Sequence, residues 1–95
     1  MVPEESSRAL IVHRVEPEYP AQALQQRLEG AVVLQVWVAK DGTIRDLKLL
    51  KGYFALGRVA FDAVKQWRFK PYPVNGKATE FQTTVTLDFK YPTAN

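Results

Sequence analysis

The sequence contains no cysteine, one histidine (His13) and two serines (Ser6 and Ser7). The first absence excludes disulfides and thiolate metal sites. The second leaves a histidine-built zinc site or general base without partners, so His13 reads as a structural or surface residue. The serines lie in a polar lead that offers neither a rigid elbow nor a nearby base, so no serine nucleophile is built there. No apolar stretch reaches the roughly 18–20 residues of a membrane span, and no signal-peptide core follows Met1. The glycines (Gly30, Gly42, Gly52, Gly57 and Gly76) match no phosphate-cradling loop. The ten acidic residues are scattered. Their closest groupings, Glu4-Glu5 and Glu16/Glu18, read as solvated surface, and Asp41 as a turn residue. No catalytic set, cofactor site or metal site emerges, and the expectation is a protein that is not an enzyme.

Charge of one sign is not concentrated either. The net charge is +3, and the 13 Lys and Arg residues run from Arg8 to Lys90 without three in a row. A nucleic-acid binder usually gathers such residues into a patch or stripe. An RNA-binding sheet would also carry aromatics on central strands in a basic, glycine-containing signature, which Val32–Val38 lacks.

What remains is the composition of one small globular domain of 95 residues, whose core buries roughly 60–65% of the unfolded surface. Residues 1–8 read as a linker-like lead, and residues 9–95 as a single domain. Ala9 to Val15 contains a short strand. Pro20 suits the first turn of a helix over residues 20–28, with Ala21, Leu24 and Leu28 at helical spacing and Gly30 as its stop. Residues 31–40 form a strand apolar on both faces, which belongs mid-sheet. Trp37 lies on the face opposite the valines, where it could meet a helix or a partner. Asp41-Gly42 signals a tight two-residue hairpin turn. The return strand, residues 43–51, slips phase between Ile44 and Leu47, and a bulge near Arg45-Asp46 restores it.

Leu56, Val59, Ala60, Ala63, Val64 and Trp67 then mark an amphipathic helix ended by Pro71 and Pro73. Gly57 in its first turn has a possible reason in close packing on Tyr53 or Phe54. Asn75-Gly76 marks another turn. From Glu80, the residues Phe81, Thr83, Val85, Leu87, Phe89 and Tyr91 share one face of a last strand, and Gln82, Thr84, Thr86, Asp88 and Lys90 the other. The expected fold is α+β: a two-layer sandwich with a three-stranded antiparallel or mixed sheet, spatial order 2-1-3, and two helices on one face. That order leaves residues 80–90 as an edge strand. Proline at Val85 is expected to remove a backbone donor from that edge.

Three segments together carry a family resemblance. They are Glu16-Pro17-Glu18-Tyr19-Pro20-Ala21-Gln22-Ala23 ending at Glu29-Gly30; Val32 to Lys40 with Asp41-Gly42; and Ala60-Phe61-Asp62-Ala63-Val64-Lys65-Gln66-Trp67-Arg68-Phe69-Lys70-Pro71 before Asn75-Gly76-Lys77. In order and spacing this resembles the C-terminal domain of the TonB family over about residues 15–91. The resemblance implies a periplasmic domain of an inner-membrane-anchored energy transducer. It implies siderophore, iron or other transmembrane transport, with ExbB- and ExbD-type partners reached through an N-terminal part. An anchor and linker absent from these residues favour a fragment.

The resemblance also implies that the domain grasps the TonB box peptide of an outer-membrane transporter. β-Augmentation at the last strand would do so, through Glu80, Gln82, Thr83, Thr84, Val85, Thr86, Leu87 and Asp88, with Tyr19 and Pro20 as the family's contacting pair. Glu16, a further candidate contact, stands where better-known members have glutamine and offers a carboxylate in place of the amide. Tyr19 has an alternative role, stapling the helix start to the core. A homodimer by strand exchange is a further expectation. The alternative function is a structural or sensory interaction domain of the same fold that moves nothing.

Overall fold

The computed structural model describes residues 1–91. Three strands form the central sheet: β2 (Gly30–Val38), β3 (Ile44–Lys51) and β7 (Phe81–Phe89), in the order β3-β2-β7. Both pairings are antiparallel, so the outer strands run in the same direction. This is the expected 2-1-3 order, with the chain crossing between its outer strands by way of α3 (Phe54–Val64).

The pleat sorts the side chains. Val32, Leu34, Val36 and Val38 of β2 are fully buried on one face. Their register partners Leu87, Val85, Thr83 and Phe81 lie beside them on β7. Burying each such aliphatic side chain stabilises the fold by about 1.5–3 kcal/mol. Leu56, Ala60 and Val64 of α3 close over this face, joined by Ala23 of α2 (Ala21–Gln26) and by Trp67 and Phe69. Trp67 lies just beyond α3, and its indole Nε1 donates to the Val15 carbonyl at 2.8 Å. That bond lets a large amphipathic ring sit in the core with its one polar group satisfied. β1 (Ile11–His13) pairs with the two-residue β4 (Arg68–Phe69) beside the main sheet. His13 is exposed there.

Several local expectations need correction. The lead is not linker-like: Glu4–Arg8 form a short helix, α1, and Val2 and Ser7 are buried. Helix α2 ends at Arg27, whose φ of 55° makes the left-handed turn; Gly30 instead opens β2. The hairpin after β2 has a three-residue loop. Gly42 N–H donates to Ala39 at 2.9 Å, and Ala39 N–H donates to Thr43 at 2.8 Å, a turn followed by a left-handed glycine. Gly42 is required twice over: its φ is +90°, and a Cβ there would lie 1.9 Å from the Phe69 carbonyl oxygen.

The expected bulge is present. Trp37 pairs with Asp46 and Val38 with Ile44, so Arg45 is the extra residue. A second, unexpected bulge places Leu50 outside the ladder between Leu49 and Lys51. Gly57 packs not on Tyr53 or Phe54 but on Leu49, whose Cδ2 would be 3.0 Å from a Cβ. Asn75-Gly76, both at positive φ, join β5 (Tyr72–Val74) to β6 (Lys77–Thr79). Tyr72 then leans on Phe81 at 5.3 Å between ring centroids.

Candidate functional site

A three-stranded sheet has two edges, and here they differ. The β3 edge is broken by the bulges at Arg45 and Leu50 and carries Arg45, Lys48 and Lys51. Bulges and lysines are the usual means of keeping an edge from recruiting another strand. The β7 edge has no such interruption: nine consecutive residues pair with Gly30–Val38 in unbroken register.

On an antiparallel edge, alternate residues turn their N–H and C=O outward. Gln82 C=O and Thr86 N–H both bond away from β2. The outward set is therefore Gln82, Thr84, Thr86 and Asp88, whose side chains lie on the sheet face away from the core. Thr83, Val85 and Leu87 direct their main chains to β2 and their side chains inward, and all three are buried. Of the candidate β7 residues, only Gln82, Thr84, Thr86 and Asp88 turn their main chain outward. The proline test moves with them. Proline at Val85 would break the β2 ladder, whereas proline at Thr84 removes an outward N–H.

The other candidates sit around this strand. Glu80 is ion-paired with Arg45 at 2.6 Å, across the end of β2. Gln82 accepts the Gln35 side-chain amide at 3.0 Å. Pro20 caps the start of α2 in extended conformation. Tyr19 stands edge-on to Phe89 with centroids 5.7 Å apart, and its hydroxyl donates to the Leu28 carbonyl. Burial, the Glu29 carboxylate and Tyr91 push the Tyr19 phenol above its ordinary pKa. Glu16 lies apart from the flank. It binds Arg14 at 2.8 Å, and Arg14 stacks its guanidinium over Trp67 at 4.8 Å. Trp37 is half-buried on the sheet face opposite the core, above a hollow shared with Met1, Arg45, Glu80 and Gln82.

The lead contributes residues that the sequence reading missed. Val2 N–H donates to the Gln82 carbonyl at 2.7 Å. The Glu4 carboxylate accepts from Thr86 N–H at 2.7 Å and from Thr86 Oγ1 at 2.8 Å. Thr83 Oγ1 donates to Ser7 Oγ at 2.6 Å, and Ser7 donates on to the Glu4 carbonyl. A signal was available: Pro3 followed by Glu4-Glu5 and closed by Arg8 has the charge order of a short helix.

Among the described residues no group of three or more His, Cys, Asp or Glu could hold a metal ion, and no helix is long and apolar enough to cross a membrane. The arrangement sets main-chain donors and acceptors along a line, of which Gln82 C=O and Thr86 N–H are already engaged by the lead.

Residues 15–91 match the family model for the Gram-negative bacterial TonB protein C-terminal. The chain is 38% identical over 87 residues to Protein tonB2 of Pseudomonas aeruginosa, covering 90% of this chain and 32% of that protein. It is 32% identical to Protein TonB of Vibrio cholerae, covering 86% of this chain and 34% of that protein. The chain thus spans about a third of the length of these curated relatives. Among solved structures, it is similar to the solution NMR structure of the Pseudomonas aeruginosa TonB CTD, with a TM-score of 0.71 and 30% identity over 90% of this chain and 88% of that one. The TonB2 protein of Vibrio anguillarum gives 0.65 and 34% over 88% and 82%. With an α+β fold built on a three-stranded antiparallel sheet, and with these matches along most of its length, the chain belongs to the TonB protein C-terminal family.

Proposed function

We propose that this domain binds an extended peptide along the outer flank of β7, and that its physiological guest is the TonB box of an outer-membrane transporter. The observation that carries the reading is the contrast between edges: β7 is regular for nine residues, whereas β3 is bulged twice. An added strand needs an unbroken row of donors and acceptors at fixed spacing. Main-chain pairing reads little sequence, which suits a domain that serves several receptors. Gln82, Thr84, Thr86 and Asp88 supply the backbone contacts in this reading, and Glu80 closes one end. Tyr19 and Pro20 act at the far end by fixing α2 against Phe89.

In a whole protein of this family, the domain would work in the periplasm below an inner-membrane anchor. It would pass force derived from the proton gradient, by way of an ExbB/ExbD-type complex, to the transporter plug during substrate uptake. The same flank makes a strand-exchanged homodimer a competing state.

Thr84→Pro tests the reading. It removes one outward N–H while leaving the β2 ladder intact. A folded variant with roughly ten-fold weaker affinity for a TonB-box peptide supports it. Unchanged affinity in the folded variant contradicts it.

A further inference from the structure

The flank that suits a guest strand is already met by the chain's own lead. Val2 bonds Gln82, Glu4 bonds Thr86, and Ser7 is bonded by Thr83 from the core side. Val2 is 8% exposed and Ser7 2%, so the lead is anchored and not merely draped. It runs in the same direction as β7, from Val2 beside Gln82 to Glu4 beside Thr84 and Thr86.

We infer that residues 2–8 are a displaceable cover, an internal competitor that occupies the β7 flank until a guest strand replaces it. The inference rests on the reading of β7 as the guest-binding strand. Three features make the cover suited to leave. Helix α1 has five residues, too few to hold itself together without tertiary contacts. The lead engages Gln82 and Thr86 and steps over the Thr84 main chain between them, where a continuous strand would bond. Its acceptor at Thr86 is a side-chain carboxylate, and a peptide carbonyl can take its place without leaving that N–H unpaired.

The cover also has a purpose in the resting state. A long regular edge invites pairing with another copy, and covering it with a helix or loop is a known remedy. Its thermodynamic consequence is fixed: if only a fraction of molecules have the flank open, apparent guest affinity falls by that fraction. Loosening the cover then raises affinity without touching any residue that bonds the guest.

The test uses the full chain and a blocked TonB-box peptide as the probe. Glu4→Ala removes the carboxylate, Glu4→Gln keeps an acceptor oxygen, and Val2→Ser weakens the apolar anchor. The readouts are amide hydrogen exchange at Thr86 without peptide and peptide affinity by titration. Glu4→Ala and Val2→Ser should each speed Thr86 exchange and tighten peptide binding by roughly three- to ten-fold. Glu4→Gln should lie nearer the wild type. Faster exchange with unchanged or weaker peptide binding overturns the competitor role, as does unchanged exchange in both loosened variants. If the loosened variants exchange faster but no form of the chain binds the peptide, the guest-binding reading fails and the cover with it. If the peptide shifts β7 amides equally in all forms, that reading stands and the cover alone is overturned.

Discussion

The hydroxyl of Tyr19 donates to the main-chain carbonyl of Leu28, nine residues further along the chain, while its ring meets Phe89 edge-on. One side chain thereby ties the entry of α2 to its exit and both to the end of β7. With the hydroxyl spent inside the domain, Tyr19 would serve the proposed guest binding by holding the scaffold, and its ring is the part left to touch anything else.

That arrangement predicts a split between two substitutions. Tyr19→Phe should keep the edge-on ring and lose one part-buried hydrogen bond, costing about 1 kcal/mol in urea unfolding. Tyr19→Ala should cost clearly more than Tyr19→Phe, because the ring is lost as well. Equal costs would mean that the hydroxyl, not the ring, carries the contact.

Gly42 and Gly57 should behave differently although both are buried. Gly42→Ala meets a backbone oxygen that cannot move and a left-handed φ, so it should destabilise by about 2 kcal/mol or more. Gly57→Ala meets only the methyl end of Leu49. The gain in helix propensity of about 1 kcal/mol then offsets much of the crowding, and the net change should stay within about 1 kcal/mol. Thermal unfolding of the two variants distinguishes them.

The Asp41 carboxylate accepts from Thr43 Oγ1 at 2.7 Å and from Thr43 N–H at 3.0 Å. These bonds, with a smaller contribution from Arg68, hold its pKa below the ordinary aspartate value. A depressed folded-state pKa stabilises the fold above the ordinary value, and this is lost as pH falls through the depressed one. The stability difference between the wild type and Asp41→Asn should therefore shrink over the window in which pH falls through the ordinary aspartate range and below it. A difference that stays constant over that window would contradict the hydrogen-bonded carboxylate as its source.

Much of this fold was legible in the residues, and the failures have physical causes. Val32, Leu34, Val36 and Val38 alternate so regularly that the central strand follows from the pleat alone, and the phase slip at Arg45 announced its bulge. The second bulge at Leu50 left no such trace, because Leu49 and Leu50 are both apolar and either could have faced the core. The hairpin loop misled by one residue: Asp-Gly also occurs where a turn is followed by a left-handed glycine. Gly57 was referred to its chain neighbours Tyr53 and Phe54 because its actual reason, Leu49, lies on another element. The candidate edge was right as a strand, but which of its residues turn their main chain outward was not legible, since that is set by pairing with β2. The lead was missed because Glu4 and Ser7 look solvated until Thr83 and Thr86 are brought to them over more than 75 residues of chain.

The flank of β7 is tested most directly by a two-dimensional amide NMR titration with a TonB-box peptide. Shifts should concentrate at Gln82, Thr84, Thr86 and Asp88, with Val2 and Glu4 moving as the lead departs, while Ile44–Lys51 stays still. Shifts confined to Ile44–Lys51, with residues 81–89 unmoved at saturating peptide, would contradict guest binding at β7.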